Sequence, residues 1–487
     1  MSSRKKAQPK LVVVSNRLPF SKVHDDKGEF RWERSTGGLI TAMDPILRST
    51  GGMWIGWDGH TVSNIHDSYA QFDIADINSA EKHAKGSYGI AVVPLTSKEY
   101  REYYIKFSNG VLWALFHYFF EKSSIDIKAW KVYETVNKRF AHYINDVTSE
   151  DDIVWVQDFH LFMVPYFLRK MRPESRIHFF LHTPFPHIDI FSILPWQRII
   201  LESLLCCNSI GFHHKQYLRN FRGAVEAYRR EKRSSGESSV EESVVTNIYA
   251  NPISVDFELL DRTSRLERVR KRAGEIKEKA GCSKVILGVD RIDYSKGIKE
   301  RLLALELMLE EEPGLREKFF YYQLVVPSRE ELDAYSGLKK EIDEIIGRIN
   351  GRFSTGLWTP VHYNYGKLPF KELVSFYLAA DIALVTPLRD GMNLVCKEFV
   401  AAHSDEDGVL VLSKFAGAIA EIKNCIAVNP YNIEDIASAL KWSMNMHAPE
   451  RRKRMRKMRK KIKHNNINTW LDRCMEYMHD REDGMPA

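Results

Sequence analysis

Short apolar runs alternate with amphipathic segments along most of the chain. In the first half, strand-like runs cover residues 11–15, 153–157, 177–182 and 209–212, and helical periods cover 38–48, 161–171, 196–207 and 216–230. Apolar strands that alternate with helices indicate parallel sheets with helices on both faces. The first half therefore predicts a doubly wound α/β domain.

A second series of the same kind follows. Its strand-like runs cover residues 285–290, 321–328, 382–387, 409–413 and 425–430, and its helices cover 298–311, 370–380, 393–403 and 433–445. We expect a loose tail at 1–10, a Rossmann-like N-terminal domain at 11–264, a second Rossmann-like domain at 265–465 and a C-terminal helix at 466–487 that packs back on the first domain. Because ligands bind outside the carboxyl ends of the strands in such sheets, the pattern predicts a site in a central cleft between the two domains.

Composition is that of an ordinary globular protein, with 487 residues, 44% hydrophobic and 28% charged. The net charge of +7 is concentrated in residues 451–464, which hold ten Lys and Arg and no acid. Without these ten, 61 basic residues stand against 64 acidic ones. We read the run as one solvated face of a helix with Met455, Met458 and Ile462 inward, and predict no nucleic acid and no membrane as partner.

The six cysteines include no CxxC pair, and several lie in apolar runs, which is typical of reduced thiols in a cytoplasmic protein. The N-terminus has too few apolar residues for a signal peptide. Residues 111–120, the most apolar stretch, are too short to span a bilayer. The sequence thus predicts a soluble, cytoplasmic protein.

The most informative stretch is residues 386–399, where an apolar run ends at Asp390-Gly391 just before a helix. A helix N-terminus attracts anions, and a glycine lets a ligand approach the backbone. Asp390 offers an acceptor there, and Glu398 lies about two turns along the helix. The alternative is an ordinary turn with Asp390 as an N-cap and Glu398 in solvent.

A second candidate is the turn after residues 285–290, where Arg291 and Lys296 flank a turn that ends at Gly297. Two cations around a glycine turn suit a diphosphate, although surface ion pairing is the simpler reading. Walker A, GxGxxG, HExxH and EF-hand patterns are absent from the sequence, which disfavours an NTPase, a nicotinamide enzyme and a bound metal.

Further candidates lie at strand ends and turns of the first half. They are Arg17 after the first strand, Gly37 and Gly38 at the next helix, Tyr104 and Trp113 in an aromatic segment, and Asp158 and His182 after two apolar strands. Sugars need flat apolar faces and fixed hydrogen-bonding groups, which this mixture supplies. Taken singly, the aromatic and histidine residues are more often core residues.

Together these segments resemble the trehalose-6-phosphate synthases, retaining glycosyltransferases of the GT-B class. The resemblance rests on the ordered segments SNRLP, GGL, WIGW, FSNGVLW, DFH, FLHTPFP, GVDRIDYSKGI, VPSR, RINGRF, TPLRDGMNLV and LSKFAGA, from about residue 11 to 470. It implies glucose transfer from UDP-glucose to glucose 6-phosphate with retention, giving α,α-trehalose 6-phosphate and UDP. It implies no cofactor and no metal, and it is compatible with a homo-oligomer or a complex with a trehalose-phosphate phosphatase.

The resemblance also implies a role for each candidate. Arg291 and Lys296 would bind the donor diphosphate, and Glu398 the ribose. The donor glucose and phosphates would lie on Asp390, Gly391, Met392, Asn393, Leu394 and Val395, with Gly37 and Gly38 closing over the donor. The acceptor and its phosphate would contact Arg17, Trp57, Tyr104, Trp113, Asp158 and Arg329. Catalytic roles fall to Arg291, Lys296, Asp158 and His182, with front-face attack and the leaving phosphate oxygen as base.

Four positions depart from the family pattern: His187, Asp189, Ser254 and Lys414. They put the sugar preference in doubt rather than the reaction class. Two alternatives stay open, namely a sister synthase that makes another phosphorylated glycoside and a non-catalytic regulatory subunit. The retained Arg291, Lys296, Asp390 and Glu398 argue against the second.

Overall fold

A computed structural model describes residues 9–24, 30–35, 38–65, 70–77, 86–235, 247–281, 284–328 and 333–479. Contacts between residues divide the chain into two compact units. The first comprises Met1–Asn251 with Leu471–Ala487, and the second comprises Pro252–Trp470. Each unit is built on its own sheet.

The first unit has an eight-stranded sheet in the order β12-β11-β10-β9-β1-β4-β7-β6, parallel except for the β6–β7 pair. Its strands are β1 Leu11–Arg17, β2 Phe20–His24, β3 Phe30–Arg34, β4 Met53–Trp57, β5 Thr61–Val62, β6 Ala70–Asp73, β7 Gly89–Val92, β8 Leu95–Thr96, β9 Ile153–Gln157, β10 Arg176–Leu181, β11 Ser209–Phe212 and β12 Asn247–Ala250. Strands β2 and β3 form a hairpin, and β5 pairs with β8.

The helices of the first unit are α1 Gly38–Thr50, α2 Ser97–Glu99, a π-helix at Tyr100–Trp113, α3 Ala114–Phe116, α4 Ile127–Val147, α5 Val164–Met171, α6 Ile188–Phe191, α7 Gln197–Leu205 and α8 Lys215–Ser234. The central strands are mostly apolar and buried, as in β9, where all five residues are buried. This burial on both faces is what the continuous apolar runs predict.

The second unit has a six-stranded, fully parallel sheet in the order β15-β14-β13-β16-β17-β18. Its elements are α9 Phe257–Ser264, α10 Glu267–Ala280, β13 Lys284–Arg291, α11 Ile298–Glu311, β14 Phe319–Val326, α12 Asp333–Phe353, β15 Val361–Tyr365, α13 Phe370–Ala379, β16 Ile382–Val385, α14 Leu394–Ala402, β17 Val409–Ser413, β18 Ile426–Val428, α15 Ile433–Asn445 and α16 Ala448–His464. Strands and helices alternate, so this unit is a doubly wound α/β fold.

The units are not divided where the sequence analysis places the domain boundary. The helix Phe257–Ser264 packs on the helices Phe370–Ala379 and Leu394–Ala402 of the second unit. Asp261 of this helix pairs with Arg459, which also donates to the carbonyl of Val400 at 3.0 Å. These contacts place the segment before residue 265 in the second unit.

The last helix, α17 Ile467–His479, begins in the second unit and ends in the first. Within the first unit the ring of Tyr477 stacks on Tyr249 at 4.0 Å between centroids. The amide of Asn251 donates to the Sγ of Cys474 at 3.1 Å. These contacts fix the C-terminal part of the helix against the end of β12.

Helices in the described ranges are too short or too polar to cross a membrane. The five cysteines of the described part, Cys206, Cys207, Cys396, Cys425 and Cys474, are thiols. All but Cys206 are buried.

Candidate active site

The turn after β13 presents two cations at the carboxyl end of a central strand. Arg291 is the exposed last residue of the strand, and Lys296 closes a single 3₁₀ turn at Tyr294–Lys296. The Asp293 carboxylate caps this turn by accepting from the Ser295 N–H at 2.9 Å. The short loop therefore holds both cations at the sheet edge, as the sequence predicts.

Gly297 is required by the geometry of the same turn. It has φ +65°, in the left-handed region that favours glycine, and a Cβ there would lie 2.2 Å from the carbonyl oxygen of Thr386. Leu388 donates its N–H to the Ser295 carbonyl at 2.8 Å. The turns after β13 and β16 are thus packed directly on each other.

Asp390 lies in the turn after β16, and its carboxylate connects this turn to the turn after β13. Its Oδ2 accepts from the Lys296 ammonium at 2.6 Å and from the Asn393 amide at 3.2 Å. The Lys296 and Asp390 side chains are 10% and 13% exposed, so the pair is partly shielded from water. A charge-assisted bond in such surroundings is stronger than one on an open surface.

The helix Leu394–Ala402 starts at this point, and Asn393 is its N-cap. Asn393 has φ 70°, and its Oδ1 accepts from the Cys396 N–H at 3.2 Å. The capping residue is Asn393, so the reading of Asp390 as an N-cap is wrong. The first N–H groups of a helix have no acceptor within the helix and attract anions.

Backbone contacts hold the segment before this helix in place. Asp390 and Ala416 form an isolated parallel bridge, and a Cβ on Gly417 would lie 2.0 Å from the Gly391 carbonyl oxygen. Met392 accepts from the Ala418 N–H at 2.9 Å and is 3% exposed. The loop is therefore supported by the segment that follows β17.

Glu398 faces the interior rather than open solvent, and the Tyr377 hydroxyl donates to its Oε2 at 2.6 Å. Burial raises the pKa of Glu398, and the bond from Tyr377 offsets part of that increase. The reading of Glu398 as a solvated helix residue is wrong. A partly buried carboxylate with one partner can accept from a further hydroxyl.

In the first unit, Arg17 and Trp57 lie opposite each other at the ends of the paired strands β1 and β4. The Arg17 guanidinium stands over the Trp57 ring at 4.4 Å, a cation–π contact. The Trp57 indole is fixed by donation to the His60 carbonyl at 2.7 Å. This places a cation on an aromatic face at the carboxyl edge of the sheet.

Tyr104 and Trp113 both lie on the π-helix Tyr100–Trp113. Tyr104 stacks between Tyr100 at 5.4 Å and His160 at 5.6 Å, measured between ring centroids. Trp113 is 7% exposed and packs on His117 at 3.9 Å. π-helical segments are rare and occur frequently at functional sites.

Asp158 and His182 follow the adjacent strands β9 and β10 and contact each other. The His182 N–H donates to Asp158 Oδ1 at 3.2 Å, and its Nε2 lies 2.9 Å from Gln157 Oε1. Asp158 has φ 71°, an unusual conformation for a non-glycine residue at a strand end. Burial lowers the pKa of His182 to about 3, so the ring is neutral at physiological pH.

The predicted residues thus form two groups, one in each unit. In the second unit, Arg291, Lys296, Asp390–Val395 and Glu398 follow the adjacent strands β13 and β16. In the first, Arg17 and Trp57 end β1 and β4, and Asp158 and His182 follow β9 and β10; these four strands are also neighbours. Gly38 begins α1, and Gly37 and Arg329 lie outside the described residues.

Three of the four positions that depart from the family pattern are exposed. His187 and Asp189 are exposed and lie 3.0 Å apart, at the start of α6. Ser254 is buried. Lys414 is 54% exposed and 3.9 Å from Asp435.

The structure also brings forward residues that the sequence analysis missed. Tyr377 donates to Glu398, and Gln157 contacts His182. Asp290 and Arg301 form a buried pair next to the turn that carries Arg291 and Lys296. A signal was present for Arg301, which lies four residues after Gly297 on an otherwise apolar helix face. In the described part of the chain, groups of three or more His, Cys, Asp or Glu side chains placed to hold a metal ion are absent.

A family model described as glycosyltransferase family 20 matches residues 9–480. The chain belongs to glycosyltransferase family 20. It is 39% identical over 477 residues to the trehalose-6-phosphate synthase of Mycobacterium avium (strain 104), covering 94% of this chain and 93% of that protein. The predicted family is thereby confirmed, and the chain is an enzyme that transfers glycosyl groups.

Solved structures agree with the family assignment. An α,α-trehalose-phosphate synthase (UDP-forming) from Burkholderia xenovorans, in complex with glucose-6-phosphate, aligns with a TM-score of 0.84 at 32% identity, covering 96% of this chain and 99% of that one. A structure from E. coli bound with UDP-2-fluoro glucose aligns with a TM-score of 0.85 at 32% identity, covering 98% and 100%. The predicted α/β class with Rossmann-like domains is confirmed.

Proposed function

We propose that this family 20 glycosyltransferase moves glucose from UDP-glucose to glucose 6-phosphate with retention, giving α,α-trehalose 6-phosphate and UDP. The family match, the similar trehalose-6-phosphate synthase and the two ligand-bound neighbours support this activity. The observation that carries it is the contact between Lys296 and Asp390 at 2.6 Å, beside Arg291 and a helix N-terminus.

The donor site is assigned to the second unit. Arg291 clamps the diphosphate and Lys296 adds a point charge. Asp390 accepts from the donor glucose, while the backbone of Gly391–Val395 binds the sugar and phosphates at the helix N-terminus. Glu398 accepts from the ribose hydroxyls.

The leaving diphosphate is the group that this arrangement stabilises. Negative charge develops on it as the glycosidic bond breaks, and fixed cations in partly buried surroundings lower that barrier. Attack from the same face lets the leaving phosphate oxygen take the proton of the acceptor hydroxyl. A retaining hydrolase would instead need two carboxylates about 5 Å apart, one of them a nucleophile.

The acceptor site is assigned to the first unit and to Arg329. Arg17 and Arg329 bind the phosphate of glucose 6-phosphate, while Trp57, Tyr104 and Trp113 supply apolar faces. Asp158 accepts from sugar hydroxyls near the reacting carbon. His182, neutral above about pH 3, donates or accepts hydrogen bonds there as an uncharged ring.

Reaction without a metal or another cofactor is part of the proposal. Arg291 and Lys296 support this, because they supply two positive charges to the diphosphate. A divalent ion usually supplies that charge. Gly37 and Gly38 are also assigned to donor binding.

The decisive test measures UDP by chromatography after mixing the protein with UDP-glucose and glucose 6-phosphate. We expect UDP and a phosphorylated non-reducing disaccharide in equal amounts. ADP-glucose and GDP-glucose test the donor, and glycerol phosphate and other hexose phosphates test the acceptor. UDP release with another acceptor alone would indicate a sister synthase, and no release with any pair would indicate a regulatory subunit.

Two broader features complete the proposal. We place the protein in the cytoplasm, because the five described cysteines are thiols and four of them are buried. We also propose that it assembles, either as a homo-oligomer or with a trehalose-phosphate phosphatase. Light scattering of the purified chain, alone and mixed with such a phosphatase, measures both.

A further inference from the structure

A buried guanidinium lies beneath the proposed diphosphate turn. The side chain of Arg301, on the first turn of α11, is 0% exposed. Its Nη2 donates to the Lys296 carbonyl at 2.6 Å, and its Nε donates to the Gly297 carbonyl at 3.3 Å. Its Nη1 donates to the Leu384 carbonyl at 3.0 Å. One planar group therefore connects the turn that carries Arg291 and Lys296 to strand β16.

The charge of Arg301 is balanced by Asp290 on β13. The Arg301 Nη1 and Asp290 Oδ2 atoms are 2.7 Å apart, and the two side chains are 0% and 2% exposed. A buried ion pair is costly to desolvate and is weak evidence for a contribution to stability. Arg301 also approaches the backbone of Gly288, where a Cβ would lie 2.9 Å from its Nη1. Its fork-shaped set of donors, rather than its charge alone, explains its place here.

Backbone contacts with the segment after β16 hold the turn as well. The Gly297 backbone is in contact with the Thr386 carbonyl, and Ser295 accepts from the Leu388 N–H at 2.8 Å. The carbonyl of Lys296 is thus fixed by Arg301, while its ammonium is 2.6 Å from Asp390. The backbone position of Lys296 sets where that ammonium can reach.

We propose that Arg301 is a positioning residue for the donor diphosphate, acting through the backbone of Lys296. It does not touch the ligand. It fixes the turn that carries Lys296, so the ammonium is already in position when the diphosphate binds. This role rests on the proposed function, because it requires Lys296 to bind the donor.

The test compares Arg301→Lys with the wild type. Lysine keeps a positive charge opposite Asp290 but cannot bridge the carbonyls of Lys296 and Leu384. The matched control is Arg459→Lys, since Arg459 is 7% exposed and likewise binds a carboxylate and two backbone carbonyls. UDP binding is measured by calorimetry, initial rates by UDP formation and folding by circular dichroism.

We expect Arg301→Lys to bind UDP about tenfold more weakly and to raise the KM for UDP-glucose by a similar factor. The KM for glucose 6-phosphate stays near that of the wild type, and Arg459→Lys keeps the wild-type affinity for UDP. A purely structural role would instead lower the melting temperature in both variants and leave UDP affinity alone. Wild-type UDP affinity in folded Arg301→Lys overturns the proposal.

A second variant covers the case in which Arg301→Lys does not fold. The double substitution Asp290→Asn with Arg301→Gln buries no charge and removes the same carbonyl bridge, and the same criterion applies to it. If the wild type itself does not bind UDP, the donor site of the proposed function is refuted, and the role of Arg301 with it.

Discussion

Lys296 is held by its neighbours rather than extended into solvent. Its side chain is 10% exposed, its ammonium binds Asp390, and its carbonyl is bound by Arg301. A flexible lysine would lose rotamer entropy when it binds a phosphate. Here most of that entropy is lost on folding, which favours a fixed charge at the proposed site.

We expect Lys296→Ala and Arg291→Ala to lower turnover by about 100- to 1000-fold, because each removes a charge that stabilises the leaving diphosphate. Folding survives, since Arg291 is exposed and the Lys296 ammonium contacts a carboxylate rather than the apolar core. The assay is UDP formation under saturating substrates, with circular dichroism as the check on folding. Lys299→Ala is the control, as Lys299 lies one turn away and pairs with Glu341. Wild-type turnover in Lys296→Ala would refute the assignment.

Glu398 links stability to pH. Burial raises the pKa of this carboxyl in the folded protein, so between its ordinary value of 4.5 and the raised value the folded state retains a proton that the unfolded state releases. The contribution of Glu398 to stability therefore falls as pH rises through that window. Above that window the folded protein holds a carboxylate that its surroundings disfavour.

Glu398→Gln removes this titration while keeping an acceptor for Tyr377. We expect the variant to melt at a higher temperature than the wild type at pH 8, with a smaller difference at pH 4. Its affinity for UDP falls by about tenfold, because a charged acceptor for the ribose hydroxyls is lost. Thermal melts at the two pH values and calorimetry with UDP measure both effects. A lower melting temperature at pH 8 would contradict the account.

At this scale the sequence identified the residues that follow apolar strands, such as Arg291 and Asp390, because a strand end before a glycine turn is a local pattern. It did not identify Arg301. Its place on an otherwise apolar helix face is only a weak signal, because its burial depends on the packing of α11 against β13 and β16, which is not local information. Residues that face a ligand are easier to identify from the sequence than residues that act through a neighbouring residue.

Among the elements, the π-helix at Tyr100–Trp113 has the clearest link to function. Its wider turns use i→i+5 hydrogen bonds and set the relative position of Tyr104 and Trp113. The Asn109 side chain donates to the Tyr104 carbonyl at 2.7 Å and helps to hold this geometry. The periodicity of apolar residues did not predict this element, because its repeat matches neither a strand nor an α-helix.

Deleting Gly110 tests the π-helix directly. One residue fewer favours the tighter α-helical repeat and moves Trp113 relative to Tyr104. We expect the KM for glucose 6-phosphate to rise by about 100-fold, since a misplaced acceptor group costs this much. UDP affinity stays unchanged, because Arg291, Lys296 and Glu398 belong to the other unit. Gly110→Ala is the control, as its Cβ would meet only the Ile105 carbonyl at 3.4 Å. An unchanged KM in the deletion variant would argue against the element's role.

Other elements followed from the sequence to different degrees. The strands Ile153–Gln157 and Val409–Ser413 and the helices Ile298–Glu311 and Ile433–Asn445 have the predicted bounds. The strand Met53–Trp57 was not predicted, because its five residues include a glycine and two tryptophans and show no regular alternation. Its place beside β1 depends on sheet pairing, which is not local information.

Across the whole molecule, the distribution of charge argues for small anionic substrates rather than a polyanion. Met455, Met458 and Ile462 are buried on the basic helix Ala448–His464, as predicted. Arg459 is buried too, and Arg451 and Arg456 pair with Asp407 and Glu406. Several of the ten cations are therefore neutralised locally, which reduces the field that a nucleic acid would meet.

Metal removal tests whether Arg291 and Lys296 supply the charge that the leaving diphosphate needs. If Arg291 and Lys296 neutralise the leaving diphosphate, then a divalent ion is not needed for that step, and EDTA in excess should leave turnover within about twofold of the untreated enzyme. UDP must be quantified directly by chromatography, because coupling enzymes that require Mg²⁺ would lose activity under the same treatment. The same measurement is made on Lys296→Ala. Added Mg²⁺ should restore part of its activity, because the ion replaces the positive charge that the lysine supplied to the diphosphate. Complete loss of wild-type activity with EDTA, reversed by Mg²⁺, would show that the metal supplies the charge assigned here to the two side chains.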